Sequence, residues 1–208
     1  AEFVDSEQFE KVDGTVDMDR VEEVLAGYDG VIVPGGFGQR GTEGKIATIQ
    51  YSRENDVPFL GICFGMQLAV VEYARNVCGL VDVHSAEIDD ETTHPVIDIL
   101  PEQHTVEEMG GTMRLGGQKS MITRGTIAAE LYGDFCIERH RHRYEVNPEY
   151  IDVLENNGLV FSGTKNNRME TIELPQSVHP FFFGTQFHPE FTSRPNDPNP
   201  AFIELVST

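Results

Sequence analysis

Apolar residues at Val21, Val24 and Leu25 fall at helical spacing and predict a helix over residues 19–26. The short run Gly30-Val31-Ile32-Val33 predicts a buried strand that ends in the turn Pro34-Gly35-Gly36-Phe37-Gly38. A second helix is predicted over residues 43–54. Val57-Pro58-Phe59-Leu60 reads as a second buried strand, followed by the tight turn Gly61-Ile62-Cys63-Phe64-Gly65 and an amphipathic helix over residues 67–74. Apolar strands alternating with helices predict an α/β fold with a mostly parallel central sheet flanked by helices. Ligands of such sheets bind beyond the carboxyl ends of the strands. Both glycine-rich turns lie at such ends, so they are predicted to share one crevice. Residues 88–108 are acidic and proline-punctuated, with helical potential near 105–109. The second half reads as antiparallel and β-rich. Short strands are predicted at 113–116, 135–137, 139–146, 160–163, 168–174 and 178–187. The prolines within 193–200 predict a loop, and a last helix starts near Ala201.

The turn at Cys63 changes the picture from fold to chemistry. Glycines two residues on either side let the backbone fold sharply, as in a nucleophile elbow. A sulfur at a helix N-terminus sits at the positive end of the macrodipole, which favours a negative charge there. A buried core cysteine is the alternative for this residue. His188 and Glu190 flank a proline directly after a predicted strand. A carboxylate so placed can orient one imidazole nitrogen and leave the other to act on a nucleophile. The chain order Cys63, His188, Glu190 differs from the nucleophile-acid-histidine order of α/β-hydrolases. Acyl transfer also needs oxyanion donors. The N–H groups of Phe64 and Gly36 are the candidates, because a glycine turn lets a small molecule approach the backbone. A phosphate-binding loop is the rival for residues 34–38, but the spacing does not match G-x-G-x-x-G and no G-K-[ST] follows. In Glu138-Arg139-His140-Arg141-His142-Arg143-Tyr144, a strand would place the three arginines on one face and the two histidines on the other. A guanidinium fork for a carboxylate fits that face.

Composition narrows the partners. The 208 residues suit one domain, or one with a small extension. The formal net charge is −20, from 15 basic and 35 acidic residues, which disfavours nucleic acid and anionic membranes. Only Lys11, Lys45, Lys119 and Lys165 are lysines, a pattern that predicts adaptation to high salt. Three widely spaced cysteines (Cys63, Cys78, Cys136) argue against a disulfide framework or cysteine metal site, and for a reducing cytoplasm. No apolar run is long enough for a membrane span, and the acidic start is not that of a signal peptide.

Taken together, Pro-Gly-Gly-Phe-Gly, Gly-Ile-Cys-Phe-Gly-Met-Gln and Phe-His-Pro-Glu-Phe resemble the class I (triad) glutamine amidotransferases. Residues 110–116, 138–146 and 187–193 resemble the CTP synthase branch of that family. The resemblance implies that Cys63 is the nucleophile, His188 the general base and acid, and Glu190 its orienter. It implies that Gly36, Phe64, Met66 and Gln67 bind L-glutamine, with Gly36 and Phe64 holding the oxyanion. Glu87 would take the substrate's amino group and Arg143 its α-carboxylate. Arg40, Gly41 and Glu43 would belong to a lid through which GTP activates hydrolysis. Phe64 stands where the family usually has Leu, and His84 where Asn is common. The resemblance further implies no metal or cofactor on this domain. ATP, Mg²⁺ and UTP would be bound by an N-terminal synthetase domain that the chain lacks, along with the first strand-helix unit. It implies a homotetramer of the full enzyme. A different class I amidotransferase or a free γ-glutamyl hydrolase, a non-catalytic partner-binding module and a purely structural α/β domain are the alternatives.

Overall fold

The computed structural model describes residues 1–99 and 113–208. Helix α1 (Met18–Leu25), strand β1 (Val31–Val33), helix α2 (Thr42–Glu54), strand β2 (Phe59–Ile62) and helix α3 (Phe64–Asn76) follow the predicted order. Strands β3 (Val83–Ser85) and β4 (His94–Asp98) come next, then β5 (Arg114–Ile122), helix α4 (Ile127–Tyr132) and strand β6 (Phe135–His142). Strand β7 (Glu145–Val146), helix α5 (Ile151–Asn156), strands β8 (Val160–Lys165), β9 (Arg168–Glu173) and β10 (Phe182–Thr185), and helix α6 (Pro200–Ser207) complete the chain.

The main sheet has seven strands in the order β1-β2-β10-β9-β8-β5-β6. Pairing is parallel from β1 through β2 to β10 and antiparallel from β10 onward to β6. The parallel character is thus confined to the end that carries the two glycine-rich turns. A smaller sheet joins β3, β4 and β7. Sequence periodicity does not reveal β3 and β4, which are short, or α4 and α5, which have six residues each. Helix α4 forms because tertiary structure caps it: the buried Glu173 carboxylate accepts the Ile127 and Ala128 N–H groups at 2.7 and 3.0 Å. The strand predicted at 113–116 extends to Ile122, and the segments 135–137 and 139–142 form one strand. The helix predicted near 105–109 lies outside the described residues.

Helix α3 is buried on every side from Phe64 to Ala74, so it is a central core helix and not the predicted amphipathic one. Its one charged residue in that span, Glu72, is fully buried and receives Arg53 of α2 in a bidentate pair, with N···O distances of 2.8 to 3.1 Å. Gly65 lets the helix approach β1: a Cβ there would lie 2.0 Å from the Val33 carbonyl oxygen. That contact sets the entry of α3 over the sheet, and with it the position of Cys63 directly before.

Candidate active site

Cys63 occupies the step between β2 and α3, with φ +51° and ψ −101°. An L-residue rarely adopts that backbone, and such strain persists only where the surroundings enforce it. Here they do: the Cys63 N–H donates to the Thr185 carbonyl of β10 at 2.6 Å, and its carbonyl accepts the Gln67 N–H of α3 at 3.1 Å. No side chain caps the helix at Cys63. The Phe64 N–H, at the first position of α3, stands outside the helical ladder.

His188 follows β10, so the parallel pairing of β2 and β10 brings it beside Cys63. Its N–H donates to the Arg139 carbonyl at 2.8 Å. Nδ1 lies 2.6 Å from Glu190 Oε1, and the Phe191 ring stacks on the imidazole with centroids 4.7 Å apart. Burial opposes charge on this ring, but the Cys63 and Glu190 side chains outweigh it and raise the His188 pKa to about 9. The glycine-rich turn closes over both residues: a Cβ at Gly35 would lie 2.8 Å from His188 Cε1 and 3.7 Å from Cys63 Cβ. Gly36 rests on the Phe64 ring, where a Cβ would be 3.6 Å from Cδ1. The two glycine-rich turns therefore lie against one another.

Strand β6 ends the main sheet. Its residues alternate, with Cys136, Glu138, His140 and His142 buried and Phe135, Ile137, Arg139 and Arg141 exposed. Two carbonyls on the same side, those of Arg139 and Arg141, serve the site: the first holds the His188 N–H and the second lies 4.0 Å from Cys63 Sγ. Behind them is a buried polar cluster. Arg114 reaches Glu170 at 2.7 Å and Glu145 at 3.3 Å, and His140 Nδ1 lies 3.0 Å from His142 Nε2. Burial, with the nearby Arg114 charge, lowers the pKa of His140 to about 3 and that of His142 well below its ordinary value. A neutral His142 whose Nδ1 faces the Tyr144 carbonyl at 3.1 Å is assigned the Nδ1–H tautomer. Glu87 is half-buried. Burial raises its pKa, against the Gly38 N–H that it accepts and the Arg143 charge nearby.

The profile of the family described as Glutamine amidotransferase class-I matches residues 7–208. The chain belongs to the class I glutamine amidotransferases. CTP synthase of Natronomonas pharaonis is 68% identical over 198 residues, covering 93% of this chain and 36% of that protein. CTP synthase of Haloarcula hispanica is 63% identical over 189 residues, covering 90% of this chain and 34% of that protein. The amidotransferase chain thus spans about a third of the length of these relatives. Among solved structures, the glutaminase domain of Trypanosoma brucei CTPS with bound acivicin is 40% identical, with TM-score 0.90, covering 99% of this chain and 78% of that one.

Within the amidotransferase, the predicted site residues fall into groups. Cys63, His188, Glu190, Gly36 and Phe64 meet where the two turns pack together, with Glu87 beside Gly38 and Arg143. The Met66 side chain is fully buried against the sheet, where a Cβ on Gly184 would be 3.1 Å from it, so only its backbone is available to a ligand. The Gln67 amide donates to the Tyr144 carbonyl and to Gln186 Oε1, at 2.8 and 3.2 Å. Arg40 is exposed and pairs with Glu7, Gly41 is the N-cap of α2 at φ +64°, and Glu43 is clasped by Arg75 at 2.8 Å and His84 at 3.3 Å. Burial would raise the Glu43 pKa, but His84 and Arg75 hold it at about 2. His84 has this clear role: its Nδ1 accepts the Ser85 N–H, which leaves Nε2 to donate to Glu43.

Sequence reasoning passed over Gly35, Gln186, Phe191 and the carbonyls of Arg139 and Arg141. Gly35, Gln186 and Phe191 lie inside motifs already singled out, so adjacency was the available signal. The carbonyls carry none, because any residue supplies one. Among the described residues, no group of three or more His, Cys, Asp or Glu side chains is arranged to hold a metal ion, and no helix is long and apolar enough to cross a membrane.

Proposed function

We propose that this chain is the glutaminase portion of a CTP synthase. Cys63 Sγ attacks the side-chain amide carbon of L-glutamine, and its proton passes to His188. The tetrahedral oxyanion rests on the N–H groups of Gly36 and Phe64. His188, kept protonated by Glu190, gives that proton to the departing ammonia as the C–N bond breaks, leaving a γ-glutamyl thioester. Water, deprotonated by His188, then attacks the thioester, releases glutamate and restores the thiol. Glu87 takes the ammonium group of glutamine and Arg143 its carboxylate. The remaining length of the relatives would bind ATP, Mg²⁺ and UTP and use the ammonia to form CTP. Activation by GTP through residues 40–43, a cytoplasmic location and a homotetramer of the whole enzyme belong to the same reading.

The observation that carries this reading is the meeting of Cys63 and the His188–Glu190 pair beneath the Gly35 backbone. In the full-length enzyme, Cys63→Ala is expected to lower glutamine-dependent CTP formation at least about 10³-fold while leaving ammonia-dependent formation intact. Loss of both activities together, or of neither, would overturn the assignment.

A further inference from the structure

Gln186 is fully buried and lies just before the His188 loop, with no part in the steps above. Its Nε2 is 3.6 Å from Cys63 Sγ. Whether that atom is nitrogen or oxygen matters, and the surrounding hydrogen bonds decide it. The Tyr144 carbonyl can only accept, so the Gln67 side-chain atom 2.8 Å from it is the NH₂ group. That same NH₂ lies 3.2 Å from one terminal atom of Gln186, which must then be the oxygen. The other terminal atom of Gln186 is therefore its NH₂, and it faces the sulfur. The chain of amides starts at a fixed backbone acceptor, which also receives the His142 Nδ1–H, and no flip along it is tolerated without two like groups meeting.

We propose that Gln186 is a positioning residue for the Cys63 sulfur, an aimed N–H donor that holds the thiolate in line for attack and lowers the free energy of its charged form. Gln67 acts through it by fixing the amide orientation. A hydrogen bond to an ionised acceptor in a buried site is stronger than one to a neutral acceptor. The N–H therefore favours the thiolate over the thiol, and the sulfur is held from the β10 side while the helix N-terminus acts from below.

The proposal rests on Cys63 being the nucleophile, and its test separates the two. The second-order rate of Cys63 alkylation by iodoacetamide is measured against pH, with the modified peptides resolved by mass spectrometry. Gln186→Leu is expected to move the midpoint for Cys63 upward by about one pH unit, and Gln186→Glu by more, since the carboxylate repels the sulfur. A merely structural role would change melting temperature and leave the midpoint in place. In the wild-type chain, the Gln186 side-chain NH₂ resonance should titrate with the same midpoint as alkylation, which holds even where a variant folds poorly. Preferential alkylation of Cys63 with an unmoved midpoint in Gln186→Leu, or a Gln186 resonance indifferent to that titration, overturns this proposal and leaves the nucleophile standing. Alkylation of Cys63 no faster than Cys78 and Cys136 overturns both.

Discussion

Glu190 Oε1 lies 2.6 Å from Nδ1 of His188, with only Pro189 between the two residues. The proline begins a short 3₁₀ turn that folds the carboxylate back to the ring, so the acid that faces the imidazole comes from the same motif. Because the folded His188 pKa is raised to about 9, above the ordinary 6.5, the imidazolium contributes stability that is complete below about pH 6.5. That contribution is lost as the pH rises through about 9. Thermal melts of the wild type should show this loss between pH 6.5 and 9, and Glu190→Gln should reduce it, leaving the part due to Cys63. Equal slopes in the two proteins would remove Glu190 from the role.

The three thiols differ in environment. Burial raises the pKa of Cys78, and burial with the Glu138 and Glu170 charges pushes Cys136 up to about 12. Both stay protonated near neutral pH and react slowly. A glutamine-like electrophile at pH 7.5 is expected to modify Cys63 and to spare the other two, as read by peptide mass spectrometry. Comparable modification of all three would remove the distinction.

Gly35→Ala places a methyl 2.8 Å from His188 Cε1, closer than non-bonded carbons approach. The ring must move, and displacement of a catalytic group by about 1 Å can cost about 10²-fold in rate. Glutaminase kcat should fall on that order with a melting temperature close to wild type. Full activity in Gly35→Ala would show that the turn can yield.

Gly65→Ala tests the fold beneath the site. Its methyl would meet the Val33 carbonyl oxygen at 2.0 Å, and backbone on both sides cannot give way cheaply. Denaturant unfolding should show a loss at the upper end of the roughly 1–3 kcal/mol typical of overpacking. A neutral substitution would mean that α3 does not seat against β1 as described.

The parallel half of the fold was legible because its strands and helices are long enough to show their period and end in glycine turns. The proximity of Cys63, His188 and Glu190 was legible because they lie in short, chemically distinctive motifs. What escaped notice depends on contacts across the chain. Helix α4 needs the carboxylate of Glu173, 45 residues beyond Ala128 in the chain, and strands β3 and β4 gain their partners only in the smaller sheet. The alternation of faces expected over residues 139–143 holds for 139–142, where the strand ends, so Arg143 does not share the strand face of Arg139 and Arg141. Nothing in these side chains reveals that the carbonyls of Arg139 and Arg141 face His188 and Cys63. Gln67 was read as a ligand contact because it follows the cysteine, whereas its amide faces inward to Gln186.

The outermost strand of a sheet is ordinarily a hazard, since its unpaired backbone can recruit a strand from another molecule and seed aggregates. On β6 two of those spare carbonyls are already turned to His188 and Cys63. The liability has become scaffold, and the same backbone that would invite a stranger's strand instead holds the two residues proposed to break an amide. A lesion that frees the His188 loop should then have two faces, loss of turnover and a newly adhesive edge.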